Sequence, residues 1–376
     1  MRERILVVDD EPGMLRAVER VLGESYHVVG SRSSTHALSV ATELNPDLAI
    51  VDIRMPELDG FEVMTRLKAH FPELDIILMT GSLDDLDEKL IRALRSPAFY
   101  FIQKPFDREV LRTLVERCLE LRWRRIEHRR NLDRLETEMA EARAFQQSLL
   151  PAPDVIVNRL AICCRYTPCS RLGGDLYDYA AARNGQTALL IADVSGHGVS
   201  AAMLTGVVKS AFYACQVDGY TPLAVVHRVW TGLAAFGPER FVTLFAALVA
   251  PDEQQLRYVN AGHPSIVLWT ERCAPKWLES TGPIVSPVLP GSAWDERSVP
   301  IDVGDQLLLY TDGVSQVLAD AEDDAEERIV ATIERDSEGG APLLEAILAA
   351  VQHDLAGRDQ PDDLTLMTAR VLAADR

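Results

Sequence analysis

Over residues 4–105 short apolar runs alternate with stretches of helical period. Ile5-Leu-Val-Val8, Leu48-Ala-Ile-Val51, Ile76-Ile-Leu-Met79 and Ala98-Phe-Tyr-Phe-Ile102 are continuous apolar runs of strand length, with a shorter one at His27-Val-Val29. Amphipathic stretches follow at about 12–23, 34–44, 60–70, 84–94 and from 107 onward. Strands that are apolar throughout are buried on both faces, so five such βα units predict an α/β, doubly wound, five-stranded parallel sheet.

The pattern then changes twice. From 107 to 150 there is neither glycine nor proline, and Pro151 ends the run. Positions 111, 114, 118, 121, 125, 128, 132, 135, 139, 142, 146 and 149 form a heptad in which nine of twelve are apolar, interrupted by Arg125, His128 and Gln146. Sustained 3–4 spacing predicts a long helix with a coiled-coil seam, most simply a parallel homodimer, or else a helix packed on its own domains. The polar break at 125–128 would weaken the seam locally.

After Pro153, strand-like runs follow one another at about 160–166, 187–192, 241–249, 256–260, 264–269, 306–310 and 364–371. Helical stretches group at 198–215, 221–236, 324–335 and 341–356. Strand after strand with clustered helices predicts an α+β arrangement, a β-sandwich of two sheets flanked by helices. The expected domains are therefore 1–120, a helical linker at 121–152, and 153–372.

Composition narrows the function classes. The chain has 376 residues and a formal net charge of −19. Residues 1–120 carry 15 basic and 22 acidic side chains, 121–150 carry 7 and 5, and 151–376 carry 16 and 30. A nucleic-acid-binding output domain needs a basic face, and the only basic cluster is Arg122, Arg124, Arg125, Arg129, Arg130 and Arg134, read as a solvated helix face. No nucleic-acid partner is expected. The longest apolar run, Phe241 to Ala250, is far short of the about 20 residues that cross a bilayer. With no signal-like segment at the N-terminus, no membrane partner and a cytoplasmic location are expected. Cys163, Cys164 and Cys169 lack zinc-site spacing and read as plain thiols on a buried strand.

Polar residues at the strand ends carry the chemistry. Asp9, Asp10, Asp52, Thr80 and Lys104 each lie just past an expected strand, the edge at which open α/β sheets bind ligands. Three carboxylates in one crevice repel unless a divalent cation or a lysine neutralises them. Val-Val-Asp9-Asp10-Glu11, Val-Asp52-Ile-Arg-Met-Pro56, Met-Thr80-Gly and Gln-Lys104-Pro105 resemble the receiver domain of two-component response regulators. The resemblance implies that Asp52 is the phosphoacceptor and that Asp9, Asp10, Asp52 and the Arg54 carbonyl hold Mg²⁺. It also implies that Thr80 and Lys104 meet the phosphoryl oxygens, that Phe101 is the switch aromatic, and that the partner is a sensor histidine kinase.

Aspartates recur in the C-terminal part: Asp175 in Gly173-Gly-Asp-Leu-Tyr-Asp178, Asp193 in Ile191-Ala-Asp-Val-Ser-Gly-His-Gly198, Asp312 in Tyr310-Thr-Asp-Gly313, and Asp362 and Asp363 in Gln360-Pro-Asp-Asp-Leu-Thr365. An oxygen-only donor set suits Mg²⁺ or Mn²⁺ rather than zinc. With Asn260-Ala-Gly-His-Pro264 and Phe145-Gln-Gln-Ser-Leu-Leu-Pro151, these motifs resemble the SpoIIE-type branch of the metal-dependent (PPM) serine/threonine protein phosphatases over about 140–372. That resemblance implies two Mn²⁺ or Mg²⁺ ions, bridged by Asp193, with the Val194 carbonyl, Asp312 and Asp362 as ligands. Asp175 would be a ligand or an outer carboxylate, and Asp363 ranks below Asp362. His197 would be a proton donor to the leaving oxygen or a loop residue, and His263 a structural turn residue. The implied reaction is hydrolysis of a serine or threonine phosphate with no covalent enzyme intermediate. The implied substrate is a phosphorylated STAS-type anti-sigma-factor antagonist. A departure from the family pattern is Gln316, where Glu is common. The competing reading is a catalytically silent adaptor that binds a sigma-factor-pathway protein under receiver control, and retention of the aspartates speaks against it.

Overall fold

The computed structural model describes residues 2–81, 99–196, 198–270, 273–291, 293–319, 324–335 and 339–374. The chain divides into two compact units, Met1–Leu135 and Glu136–Arg376.

The first unit contains the expected parallel sheet. Its strands are β1 (Arg4–Val8), β2 (His27–Ser31), β3 (Leu48–Asp52), β4 (Asp75–Thr80) and β5 (Phe99–Gln103), in the order β2-β1-β3-β4-β5. Every residue of β3 and β4 is buried, which is why these runs show no alternation. Alternate residues face opposite layers. Ile5, Val7, Leu48 and Ile50 join one core with Leu111, Val115 and Cys118, and Leu6, Val8, Ala49 and Val51 join the other with Val63 and Leu67. Helix α1 (Pro12–Leu22) has proline in its first turn, and α2 (Ala37–Leu44) ends on Asn45 in the left-handed region. Helix α3 (Gly60–His70) begins with a capping box in which Asp59 and Glu62 each bond the other's backbone N–H. The helical stretch expected at 84–94 lies outside the described residues.

Helix α4 (Arg108–Leu149) is uninterrupted for 42 residues. Its start is a component of the first unit's core, through Leu111, Val115, Cys118 and Leu119. The arginine cluster is not simply a solvated face. Arg122 donates to the Glu73 carbonyl at 2.5 Å, Arg125 pairs with buried Asp75, and Arg129 reaches Glu73 at 3.1 Å. Leu132 and Leu135 of the heptad are exposed, at 47% and 57%.

The second unit is a sandwich of two antiparallel sheets, and the sheet strands that line the site belong to both. One sheet orders β14-β11-β10-β9-β8 and the other β13-β12-β15-β16-β7-β6. The first comprises β8 (Asp175–Ala181), β9 (Thr187–Val194), β10 (Val242–Ala250), β11 (Gln255–Ala261) and β14 (Arg297–Pro300). The second comprises β6 (Asp154–Val157), β7 (Leu160–Thr167), β12 (Ile266–Thr270), β13 (Cys273–Leu278), β15 (Gln306–Tyr310) and β16 (Leu364–Val371). Leu189, Ile191, Phe245, Ala247, Leu307, Leu309 and Met367 fill the space between the sheets. The alternate residues Leu190, Ala192, Leu244 and Ala246 pack under α5 (Val199–Ala214) and α6 (Pro222–Leu233). Leu308, Tyr310 and Leu366 pack under α7 (Asp312–Leu318), α8 (Ala325–Arg335) and α9 (Gly340–Leu355). Helices on both outer faces bury the strands twice over, which accounts for apolar runs such as Leu189-Leu-Ile-Ala192.

Four strands escape the apolar-run criterion: β6, β8, β13 and β14. All four are edge strands, and β8 carries Asp175 and Asp178 in a buried stretch. The thiols also separate. Cys163 and Cys164 lie on β7, whereas Cys169 lies in the loop beyond it.

Candidate functional site

The first unit gathers its aspartates at the C-terminal edge of the sheet. Asp9 follows β1, Asp52 ends β3 and Thr80 ends β4. Ligand atoms of Asp9, Asp10 and Asp52 all lie within 4.8 Å of one another. Lys104, just past β5, reaches Asp9 Oδ2 at 2.8 Å and Asp52 Oδ1 at 2.7 Å, and its backbone N–H donates to the Thr80 carbonyl at 2.6 Å. Burial raises the Asp52 carboxyl above its ordinary pKa, with Lys104 opposing and Asp9 and Asp10 adding to the rise. Burial works against the lysine charge, yet its bonds to Asp52 and Asp9 outweigh this and raise its pKa. Arg54 is two residues beyond Asp52 in the β3–α3 turn. The turn is tight there, since a side chain at Gly60 would strike the Asp52 carbonyl and the Ile53 backbone. Phe101 is half-buried against the β1–β3 core layer.

The second unit brings its aspartates together at one end of the sandwich. Asp175 starts β8 and faces Asp193 in the neighbouring strand β9. Asp312 starts α7, and Asp362 and Asp363 precede β16. Asp175 is buried, and its Oδ2 accepts from Thr311 Oγ1 at 2.8 Å and Thr365 Oγ1 at 2.6 Å. Burial pushes its pKa well up, and the charge of Asp193 pushes it further. Asp193 rises to about 7 through burial and the charges of Asp312, Asp362 and Asp363, eased by a side-chain hydrogen bond with Asp175. Carboxylates that raise one another this way suit a divalent cation, and the aspartates offer oxygen donors. The residues therefore fit a divalent ion of the Mg²⁺ or Mn²⁺ kind.

Asp363 has a different job from its neighbours. Its Oδ1 accepts the Cys169 N–H at 2.8 Å, and its Oδ2 accepts the N–H of Gly174 at 2.5 Å and of Asp175 at 3.4 Å. It anchors the 169–175 loop on which Asp175 is mounted. Glycine is required around it: a side chain at Gly313 would strike the Asp363 carbonyl, and one at Gly174 would meet the Val194 carbonyl at 2.7 Å. The Val194 N–H in turn donates to the Gly174 carbonyl at 3.1 Å. Gln316 Nε2 donates to Asp312 Oδ2 at 2.8 Å, a bond that the more usual Glu could not donate. His263 is buried, bonds Thr243 Oγ1 at 3.0 Å through Nδ1, and is held neutral as burial lowers its pKa to about 3. His197 lies outside the described residues.

Sequence reasoning missed two participants. Cys169 has its sulfur within 4.8 Å of oxygens of Asp362 and Asp363. Its only sequence signal was its place four residues before Gly173. Gln146, near the end of α4, is bonded to the backbone of Gly173.

Residues 183–372 match the family model described as stage II sporulation protein E (SpoIIE), and residues 5–116 match that of the response regulator receiver domain. The chain is 34% identical over 126 residues to sporulation initiation phosphotransferase F of Bacillus subtilis, covering 32% of this chain and 98% of that protein. It is 26% identical over 233 residues to phosphoserine phosphatase RsbP of the same organism, covering 60% of this chain and 56% of RsbP. Of other curated relatives the chain spans only 25% and 41% of the length. In fold it is similar to the SiaA-PP2C domain of Pseudomonas aeruginosa, with a TM-score of 0.55, 19% identity, and coverage of 64% of this chain and 97% of that one.

Proposed function

The chain belongs to the SpoIIE family and joins a receiver domain to a PPM-type phosphatase domain, and from that premise we propose that it is a response regulator whose output is metal-dependent phosphoserine or phosphothreonine hydrolysis. The observation that carries the reading is the convergence of Asp175, Asp193, Asp312 and Asp362, each acting on or bonded to another at the sandwich end.

Asp193, Asp312, Asp362 and the Val194 carbonyl would hold two Mn²⁺ or Mg²⁺ ions, with Asp175 held behind Asp193 by Thr311 and Thr365. When bound, such ions activate water at neutral pH and neutralise the phosphoryl group for in-line displacement. The chain's own residues supply the geometry. Asp363 fixes the loop, the two threonines orient Asp175, and Gln316 orients Asp312. His197 is proposed as proton donor to the leaving oxygen.

In the receiver, Asp52 is the proposed phosphoacceptor for a sensor histidine kinase. Asp9, Asp10, Asp52 and the Arg54 carbonyl would hold Mg²⁺, Thr80 and Lys104 would meet the phosphoryl oxygens, and Phe101 would report occupancy. The proposed substrate is a phosphorylated STAS-type anti-sigma-factor antagonist in a partner-switching pathway, as the family resemblance implies; the likeness to the phosphoserine phosphatase RsbP supports the phosphoserine chemistry. The exposed Leu132 and Leu135 support a homodimer through α4. The proposed domain limits are 1–120, 121–152 and 153–372. Among the described residues no helix is long and apolar enough to cross a membrane.

The test is phosphate release from a phosphoserine protein by the full chain with Mn²⁺, against Asp193→Asn. Release that needs both the metal and Asp193 is expected. Absence of release together with absence of Mn²⁺ binding by calorimetry would favour the adaptor instead.

A further inference from the structure

Gln146 breaks the heptad of α4, where an apolar residue is expected, yet it alone is buried among residues 131–149 of the helix, at 7% exposure. Phe145 beside it is 69% exposed. A buried amide must place its donors and acceptor. Gln146 does so on a single residue: Nε2 donates to the Gly173 carbonyl at 2.6 Å, and Oε1 accepts the Gly173 N–H at 3.2 Å. This two-way clamp copies the pairing of adjacent strands on a loop that has no strand partner there.

Gly173 is where such a clamp has most effect. The next two N–H groups, of Gly174 and Asp175, are those that Asp363 holds. A side chain at Gly173 would strike the Tyr166 hydroxyl and Asp363 Oδ2, so the backbone is closely walled on the far side. Gln146 grips the loop from the helix and Asp363 grips it from the sheet, and Asp175 leaves between them to meet Asp193.

We infer that Gln146 is a positioning residue for the metal centre: by clamping Gly173 it sets where Asp175 stands against Asp193, and it makes metal affinity depend on the rotational setting of the end of α4. Successive residues of an α-helix are about 100° apart, so a turn of one residue's worth withdraws the amide from Gly173. Two buried backbone groups would then lose their partners. The inference rests on the proposed metal-dependent reading of this site.

Two measurements on the full chain separate the two ideas: Mn²⁺ binding followed by electron paramagnetic resonance, and hydrogen exchange of the backbone N–H groups of 172–176 without metal. Gln146→Met keeps the size and removes both bonds. Gln146→Glu keeps an acceptor for the Gly173 N–H, and it should fall between wild type and Gln146→Met in exchange. The expected result for Gln146→Met is Mn²⁺ binding weakened about tenfold or more, in the 10–100-fold range of outer-partner losses, with faster exchange at 172–176. A merely structural role would lower the melting temperature and leave Mn²⁺ affinity unchanged, and that result would overturn the inference while leaving the proposed function standing. If wild type itself binds no Mn²⁺, the metal reading falls. The clamp is then judged on exchange alone, and equal exchange in Gln146→Met overturns it as well.

Discussion

Asp9, Asp10 and Asp52 in the first unit and Asp175, Asp193, Asp312 and Asp362 in the second face one problem, several carboxylates brought together at strand ends. The first cluster contains its own cation. Lys104 bridges Asp9 and Asp52 at 2.8 and 2.7 Å, and the pairing keeps the ammonium charged despite burial. In the second cluster the groups that act most on Asp193 after burial are other carboxylates, and Asp175 is bonded by two neutral hydroxyls. With one lysine against three carboxylates the first crevice is compensated only in part, which suits the Mg²⁺ and the phosphoryl group proposed for it. In the second, burial and mutual repulsion raise the carboxyls of Asp175 and Asp193, a setting suited to the divalent ions proposed there.

The sharpest way to break this contrast is to remove one charge from each side. Asp193→Asn should lower Mn²⁺-dependent phosphate release by more than about 100-fold, since even outer partners of a metal site are worth 10–100-fold. A smaller loss in a steady-state assay would take Asp193 out of the centre. Lys104→Met should cost the receiver about 1–3 kcal/mol in urea unfolding, between the values for an exposed and a fully buried pair because the site is partly open. No loss would mean that the lysine does not compensate the acids.

The pH dependence follows from the raised carboxyls. Without metal, Asp175 and Asp193 hold protons in the folded state at pH values where the unfolded chain has released them. Their contribution to stability is full below the unfolded pKa near 4 and is lost as pH rises through the folded values, by up to about 1.4 kcal/mol per pH unit for each group. Metal binding needs the ionised forms, so the stabilisation by Mn²⁺ should grow between pH 5 and 7. His263 shifts the other way, but it contributes equally with and without metal and cancels in the difference. Melting curves with Mn²⁺ and with EDTA across that range would show it, and a Mn²⁺ effect independent of pH would contradict the carboxyl assignment. The smallest effect belongs to Gln316→Ala, which removes an exposed bond to Asp312 and should weaken Mn²⁺ binding by about 0.5–1.5 kcal/mol in calorimetry.

Legibility in the sequence differed by residue for physical reasons. The parallel sheet could be read because strands buried on both faces are apolar throughout, and Asp9, Asp52, Thr80 and Lys104 stood out as the first polar residues after them. In the sandwich β9, β10 and β16 were readable for the same reason. The strand β8 was not, because its buried Asp175 and Asp178 look like loop residues until Thr311, Thr365 and Lys209 are seen to satisfy them. The arginines of α4 read as solvated because their acceptors, Glu73 and Asp75, are about 50 residues away in the chain. Gln146 read as a defect in a heptad, since periodicity records polarity and not the backbone group a side chain meets. Asp363 could be named as an acid of the site, while its part as a loop anchor is visible only from three N–H groups that converge on it.

The contrast between the clusters has functional meaning only if the lysine-compensated site governs the metal-dependent one. The direct measurement is the rate of phosphate release by the full chain from a phosphoserine substrate at several Mn²⁺ concentrations, with and without beryllofluoride as the phosphoryl mimic on Asp52. The account predicts that beryllofluoride shifts the rate or the Mn²⁺ half-saturation by at least about threefold, and that Asp52→Asn abolishes the shift while retaining the basal rate. Identical Mn²⁺ curves in the two states would contradict control of the phosphatase by the receiver.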